Sequence, residues 1–197
     1  MTGAPAPLRG PAAPGFLDPI LALVERVDRR LRRVTPIQPE GVLGLERRRH
    51  HGAAVTLADG TRIRDGDPAW IIHFDNARLR QVATAGWQTE GFRLALDDLR
   101  ALAAWHAAQP AHARPVAYTG ISVLGPLMRR AGFELRPRRR TPWVRLEDWY
   151  LRSLLARWAP AGRDRLSRGH RPLLTEEVWL SGDALLGRYG SSPPPPE

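Results

Sequence analysis

The 197-residue sequence contains no cysteine and no lysine. Without cysteine there can be no disulfide, no thiolate metal site and no thiol nucleophile, and the composition fits a reducing compartment. No apolar run approaches the roughly 18 residues that a membrane-spanning helix needs. Met1 to Gly15 is rich in Pro, Ala and Gly and lacks the apolar centre of a signal peptide. The expectation is a cytoplasmic protein with no membrane span. Phosphate-loop and nucleophile-elbow motifs are absent as well. The histidines form no ligand pattern, because His50 and His51 are adjacent on a strand end and point to opposite faces. No metal and no cofactor is expected, and no complete catalytic constellation is visible.

What is present is a chain able to bury a core, with 43% hydrophobic residues and a formal net charge of +10. Every one of the 30 basic residues is arginine. Such basicity is the usual footprint of nucleic-acid or anionic-surface binding. Arginine in place of lysine, beside abundant Ala, Gly and Pro, is equally the mark of a high-GC genome, and both readings stay open. The run Arg136 to Arg140 with nearby Trp143 combines guanidinium groups with an aromatic. That mixture suits phosphate contacts and base stacking, so nucleic acid is one candidate partner. A solvated loop is the plain alternative.

Periodicity and turn residues predict one domain over residues 15–190, between a disordered arm at 1–14 and a disordered Pro-rich tail at 191–197. Phe16 to Arg33 reads as a helix, with Asp18 as N-cap and an apolar stripe from Phe16 to Leu31. Strands are expected at Val42–Glu46, at Ala53–Leu57 and Thr61–Ile63 around the Asp59-Gly60 turn, and at Ala69–Phe74. Helices follow at Ala77–Ala85 and Thr89–Gln109, the latter stopped by Pro110. A strand at Pro115–Tyr118, a helix at Ser122–Ala131 with Gly132 as C-cap, and a strand at Phe133–Arg136 come next. An amphipathic helix at Glu147–Trp158, a strand at Leu174–Leu180 and a helical turn at Asp183–Arg188 complete the pattern. The fold class is α/β (α+β): a single mixed sheet with an antiparallel N-terminal meander, parallel pairing after residue 69, and helices on both faces.

In such sheets ligands gather at the carboxyl ends of parallel strands. The candidate ligand-binding residues are therefore His73, Asp75, Asn76 and Arg78 after one strand, and Tyr118, Thr119 and Ser122 after its neighbour. Backbone N–H groups of Thr119 to Ser122 would sit at a helix N-terminus, suited to an anion. Arg78 adds a fixed positive charge, so the expected partner is an anionic or hydroxyl-rich small molecule. The plain alternative is that Asp75 and Asn76 cap a helix and His73 is a satisfied core residue.

Two stretches resemble the YkoP-like domain family of bacteria. One is Ala54 to Ile63 followed by Gly66-Asp67 and Ile72-His-Phe-Asp-Asn-Ala-Arg-Leu79. The other is Gly120-Ile-Ser-Val-Leu124 before Leu127-Met-Arg-Arg-Ala-Gly-Phe133. With the first helix the resemblance spans about residues 16–157. It implies a ligand-binding or accessory domain linked to cell-envelope polysaccharide metabolism, because family members occur alone or fused to polysaccharide deacetylases. It assigns no catalytic residue. Met128 to Phe133 is also similar to the late helix, Gly-Phe, strand segment of GNAT-type acetyltransferases, which implies a GNAT-like scaffold and, as the alternative activity, acyl transfer. The glycine-rich pyrophosphate loop of those enzymes is missing, since Asp75 to Gly86 stands in its place.

Overall fold

The computed structural model describes residues 33–83, 87–158 and 174–190. The terminal arm, the tail and the helix expected at Phe16–Arg33 lie outside these, except for Arg33 itself. Within the described residues the chain forms strands β1 (Thr35–Pro36), β2 (Leu43–Glu46), β3 (Val55–Thr56), β4 (Arg62–Ile63) and β5 (Ala69–Phe74). Helices α1 (Asn76–Ala83) and α2 (Trp87–Ala108) follow. Next come β6 (Ala117–Ser122), α3 (Gly125–Arg130), β7 (Glu134–Pro137), α4 (Pro142–Trp158), β8 (Glu176–Ser181) and α5 (Gly182–Tyr189).

Six strands make one mixed sheet in the order β1-β2-β5-β6-β8-β7, and β3 pairs with β4 as a separate hairpin. The meander β1-β2-β5 is antiparallel and β5 runs parallel to β6, as the loop lengths predict. Beyond β6 the expectation of parallel neighbours needs correcting. β8 lies between β6 and β7 and is antiparallel to both. The helix between β6 and β7 does return the chain in the same direction, but the gap it leaves is filled by the later strand.

The pairing register sorts the side chains between two faces. Trp70, Ile72 and Phe74 of β5 share the core of Tyr118, Val178 and Leu180 with Leu99, Leu102 and Ala103 of α2, Met128 of α3 and Leu185 of α5. This is the helix-covered face. Ala69, Ala117 and Trp179 project oppositely and pack with Leu57 and Ile63 of the β3–β4 hairpin. The hairpin is fastened over a long sequence distance. Asp59 at its turn accepts the Ser181 hydroxyl, the Ala58 N–H donates to Glu134, and Arg136 donates to the Thr56 carbonyl.

One buried charge ties helix to sheet. Asp98 of α2 is fully buried, and its Oδ2 accepts the backbone N–H groups of Val42 and Leu43 at 2.7 and 2.8 Å. Burial raises its carboxyl pKa above the ordinary value, against the opposing pull of those two donors. A Cβ on Gly41 would stand 2.0 Å from the Asp98 carboxylate, so only glycine fits there.

Candidate functional site at the carboxyl ends of β5 and β6

β5 and β6 form a fork. Their ladder joins Ala69 to Ala117, Trp70 to Tyr118 and Ile71 to Thr119, and stops there. Beyond it, Leu43 and Gly44 of β2 pair with Phe74 and His73, while Glu176 to Val178 of β8 pair with Ser122 to Gly120. Gly120 stands where the strands part. A Cβ there would lie 2.9 Å from the Ile72 carbonyl oxygen, so close approach of the two backbones requires glycine.

On the helix side of this end lies an apolar cavity of about 40 Å3, lined by residues that include Phe74, Leu79, Phe92, Ala95, Leu124 and Leu127. Sites for drug-sized ligands occupy about 300–1,000 Å3. A cavity this small takes one short alkyl or acyl limb, with the rest of the ligand outside.

The seven sequence-predicted residues fall into three places. Asp75, Asn76 and Arg78 stand at the start of α1, between Phe74 and Leu79 of the cavity wall. Asp75 Oδ1 accepts the Arg78 N–H at 3.0 Å, so its carboxylate caps the helix. The Arg78 guanidinium donates to Glu40 at 2.8 Å and to Gln81 at 3.0 Å. That charge is matched within the fold, which weakens the argument for an anionic ligand. Ser122 is on the other prong of the fork, and its hydroxyl accepts the Leu124 N–H at 3.0 Å beside the cavity.

His73 and Thr119 belong to the opposite face. Thr119 is opposite Ile71 and Trp179 in the ladders. His73 Nε2 lies 2.8 Å from Glu46 Oε2, and Arg48 Nε donates to Glu46 Oε1 at 2.7 Å. The nearly buried carboxylate thus joins an imidazole and a guanidinium. Its position opposite Ile71 makes it a diagonal neighbour of His73.

Tyr118 is buried in the helix-side core, and its hydroxyl is 2.8 Å from His106 Nδ1. Burial raises the phenol pKa, and burial together with the Arg114 charge lowers that of His106. A neutral buried histidine contributes stability that is fully present above its unfolded value near 6.5 and is lost as the pH falls below it. The melting temperature should therefore fall between pH 7.5 and 5.5, and His106→Gln should flatten that slope. An unchanged slope in the variant would count against this role.

Thr119 to Ser122 also corrects an expectation. These residues are the last four of the six in β6 and not a loop before a helix, so they offer no helix N-terminus to an anion. Sequence reasoning missed Glu46 and Asp98. The available signal for Asp98 was an acid within the apolar stripe of its helix; Glu46 had none, because its partner is 27 residues away.

The sequence profile of the YkoP domain family matches residues 16–189. The chain belongs to the YkoP domain family. Among curated proteins and solved structures nothing matches it. The match carries the family assignment past residue 157, where the resemblance read from motifs ended, so that β8 and α5 are parts of the YkoP domain. Among its described residues no helix is long and apolar enough to cross a membrane, and no cluster of His, Asp or Glu could hold a metal ion.

Proposed function

We propose that this YkoP domain is a binding module for a hydroxyl-rich small molecule bearing a short apolar limb, acting as an accessory domain in cell-envelope polysaccharide metabolism. The observation that carries the reading is the apolar cavity at the carboxyl ends of the parallel strands β5 and β6. The limb enters between Phe74, Leu79 and Leu127, and the polar remainder meets the Asp75–Arg78 turn and Ser122. An acylated amino sugar has this division of chemistry. Titration with N-acetyl- and N-butyrylglucosamine should raise the melting temperature saturably, while unacylated glucosamine should not, because only binding to the folded state shifts the midpoint. Ala95→Phe fills the cavity and should abolish the shift while the fold persists. No shift with either acylated sugar, or one that survives Ala95→Phe, would refute the proposal.

A second reading, acyl transfer, draws support from one segment. Met128 to Phe133 forms the end of α3, a Gly132 turn at φ 88° and the entry to β7. Against it stands Asp75, whose carboxylate already caps the helix end that a pyrophosphate would need. Acetyl-CoA should therefore give no stabilisation. The nucleic-acid reading loses its main support in the same way. Arg136, Arg138 and Arg140 pair with Glu134, Glu147 and Asp148 at 2.9, 2.7 and 3.2 Å.

A further inference from the structure

Helix α4 carries large apolar side chains into solvent. Trp143 is 79% exposed, Leu146 54% and Trp149 65%. Their spacing of three places them along one side of the helix over two turns. The opposite side is anchored. Asp148 is buried, and its Oδ1 accepts the Thr175 N–H at 2.9 Å, while Thr141 caps the helix start by accepting the Val144 N–H at 3.2 Å. The exposed stripe is thus held in a fixed orientation.

Arginines frame it. Arg139 and Arg145 are exposed, and neither guanidinium meets a carboxylate among the described residues. Arg136, Arg138 and Arg140 of the same stretch are paired with acids. The unneutralised charge of the stretch therefore sits on Arg139, just before α4, and on Arg145, one residue before Leu146 in the helix. The formal net charge of the whole chain, +10, has the same sign.

We infer that the Trp143–Leu146–Trp149 side of α4 is a peripheral docking surface for an anionic lipid membrane. Tryptophan prefers the headgroup level, leucine reaches the acyl boundary, and exposed arginine pairs with lipid phosphate. Nucleic acid fits less well. A base-stacking track needs several unpaired cations along it, and most of the local arginines are taken. The surface is on a different element from the cavity, and the inference does not rest on the ligand proposed above.

The test is co-sedimentation of the full chain with phosphatidylcholine vesicles, with and without phosphatidylglycerol. Binding should need the anionic lipid. Trp143→Ser/Leu146→Ser should weaken it about tenfold, and Arg139→Ala/Arg145→Ala should reduce it by a comparable factor. All four side chains are exposed, so both variants should keep the parent melting temperature. No binding to anionic vesicles would overturn the inference, as would binding that survives the Trp143/Leu146 substitution. A mass that doubles with concentration in the parent but not in that variant would assign the surface to a second copy. Oligonucleotide binding lost in the same variant would assign it to nucleic acid. Either result would replace the membrane.

Discussion

Asp98→Ala should destabilise the domain by about 3 kcal/mol, because it strips the acceptor from two buried backbone N–H groups and each such loss costs roughly 1–3 kcal/mol. The donors are those of Val42 and Leu43, where β2 begins. The substitution also leaves a void beneath Gly41, which has no side chain to fill it. For a domain of this size the melting temperature should fall by about 10 °C. Asp98→Asn separates acceptor from charge. Its amide oxygen can serve both donors without burying an anion, so at neutral pH it should lose far less than Ala. The pH dependence has a defined sign. The folded carboxyl pKa lies above its unfolded value, so protonation favours the fold. Relative to Asp98→Asn, the parent should gain stability as the pH falls through that raised value toward 3.8. Thermal melts of the three proteins across pH would show it. A parent that gains nothing on acidification would contradict a carboxyl destabilised by burial.

Gly120→Val should have the next largest effect. Valine at a strand position ordinarily gains up to about 1 kcal/mol over glycine. At this position its Cβ would stand 2.9 Å from the Ile72 carbonyl oxygen, a backbone atom that cannot swing aside. The strands must part, and overpacking of this kind costs about 1–3 kcal/mol. The clash wins, and a net loss of about 2 kcal/mol is expected. Opening the fork also reshapes the cavity beside it, so the response to an acylated sugar should change along with the melting temperature. A Gly120→Val variant as stable as the parent would mean that β5 and β6 do not meet at this glycine.

The sequence signals that succeeded were local ones. A run of large apolar residues after a turn places β5 at Ala69–Phe74 with both ends correct, and the Asp-Gly turn places the β3–β4 hairpin. Gly132 takes the left-handed conformation expected after α3. Some departures lie where a distant partner decides, and others at local signals. Gly120 reads as a loop residue in isolation, yet the nearby Ile72 carbonyl makes it a strand residue. α4 starts at Pro142, five residues before the expected Glu147, because Thr141 caps it and proline suits the first helical position, a signal that is local and present in the sequence. Alternation alone separates Tyr118 and Ser122 from Thr119, since neighbours on a strand face opposite ways. His73 and Thr119 therefore share one face, whereas the cavity belongs to the other. No spacing rule pairs His73 with Glu46, because pairing across antiparallel strands depends on a register that the turn chemistry between them leaves open.

The position of β8 governs the order in which this protein can assemble. It is the last strand among the described residues, yet it occupies the interior of the sheet between β6 and β7. A nascent chain that has reached residue 175 has the residues of β6 and β7 but not the strand that joins them. β6, already paired with β5 on one side, presents a raw edge on the other, and such edges invite pairing with other chains. The hairpin is equally stranded, because its Asp59 waits for Ser181, 122 residues later. Contacts of that span make folding slow, since a long loop must close before they repay its lost entropy. β7 pairs with no strand but β8, so the sheet beyond β6 forms only once residues 176–181 are available, and until then the open edge of β6 is exposed to other chains.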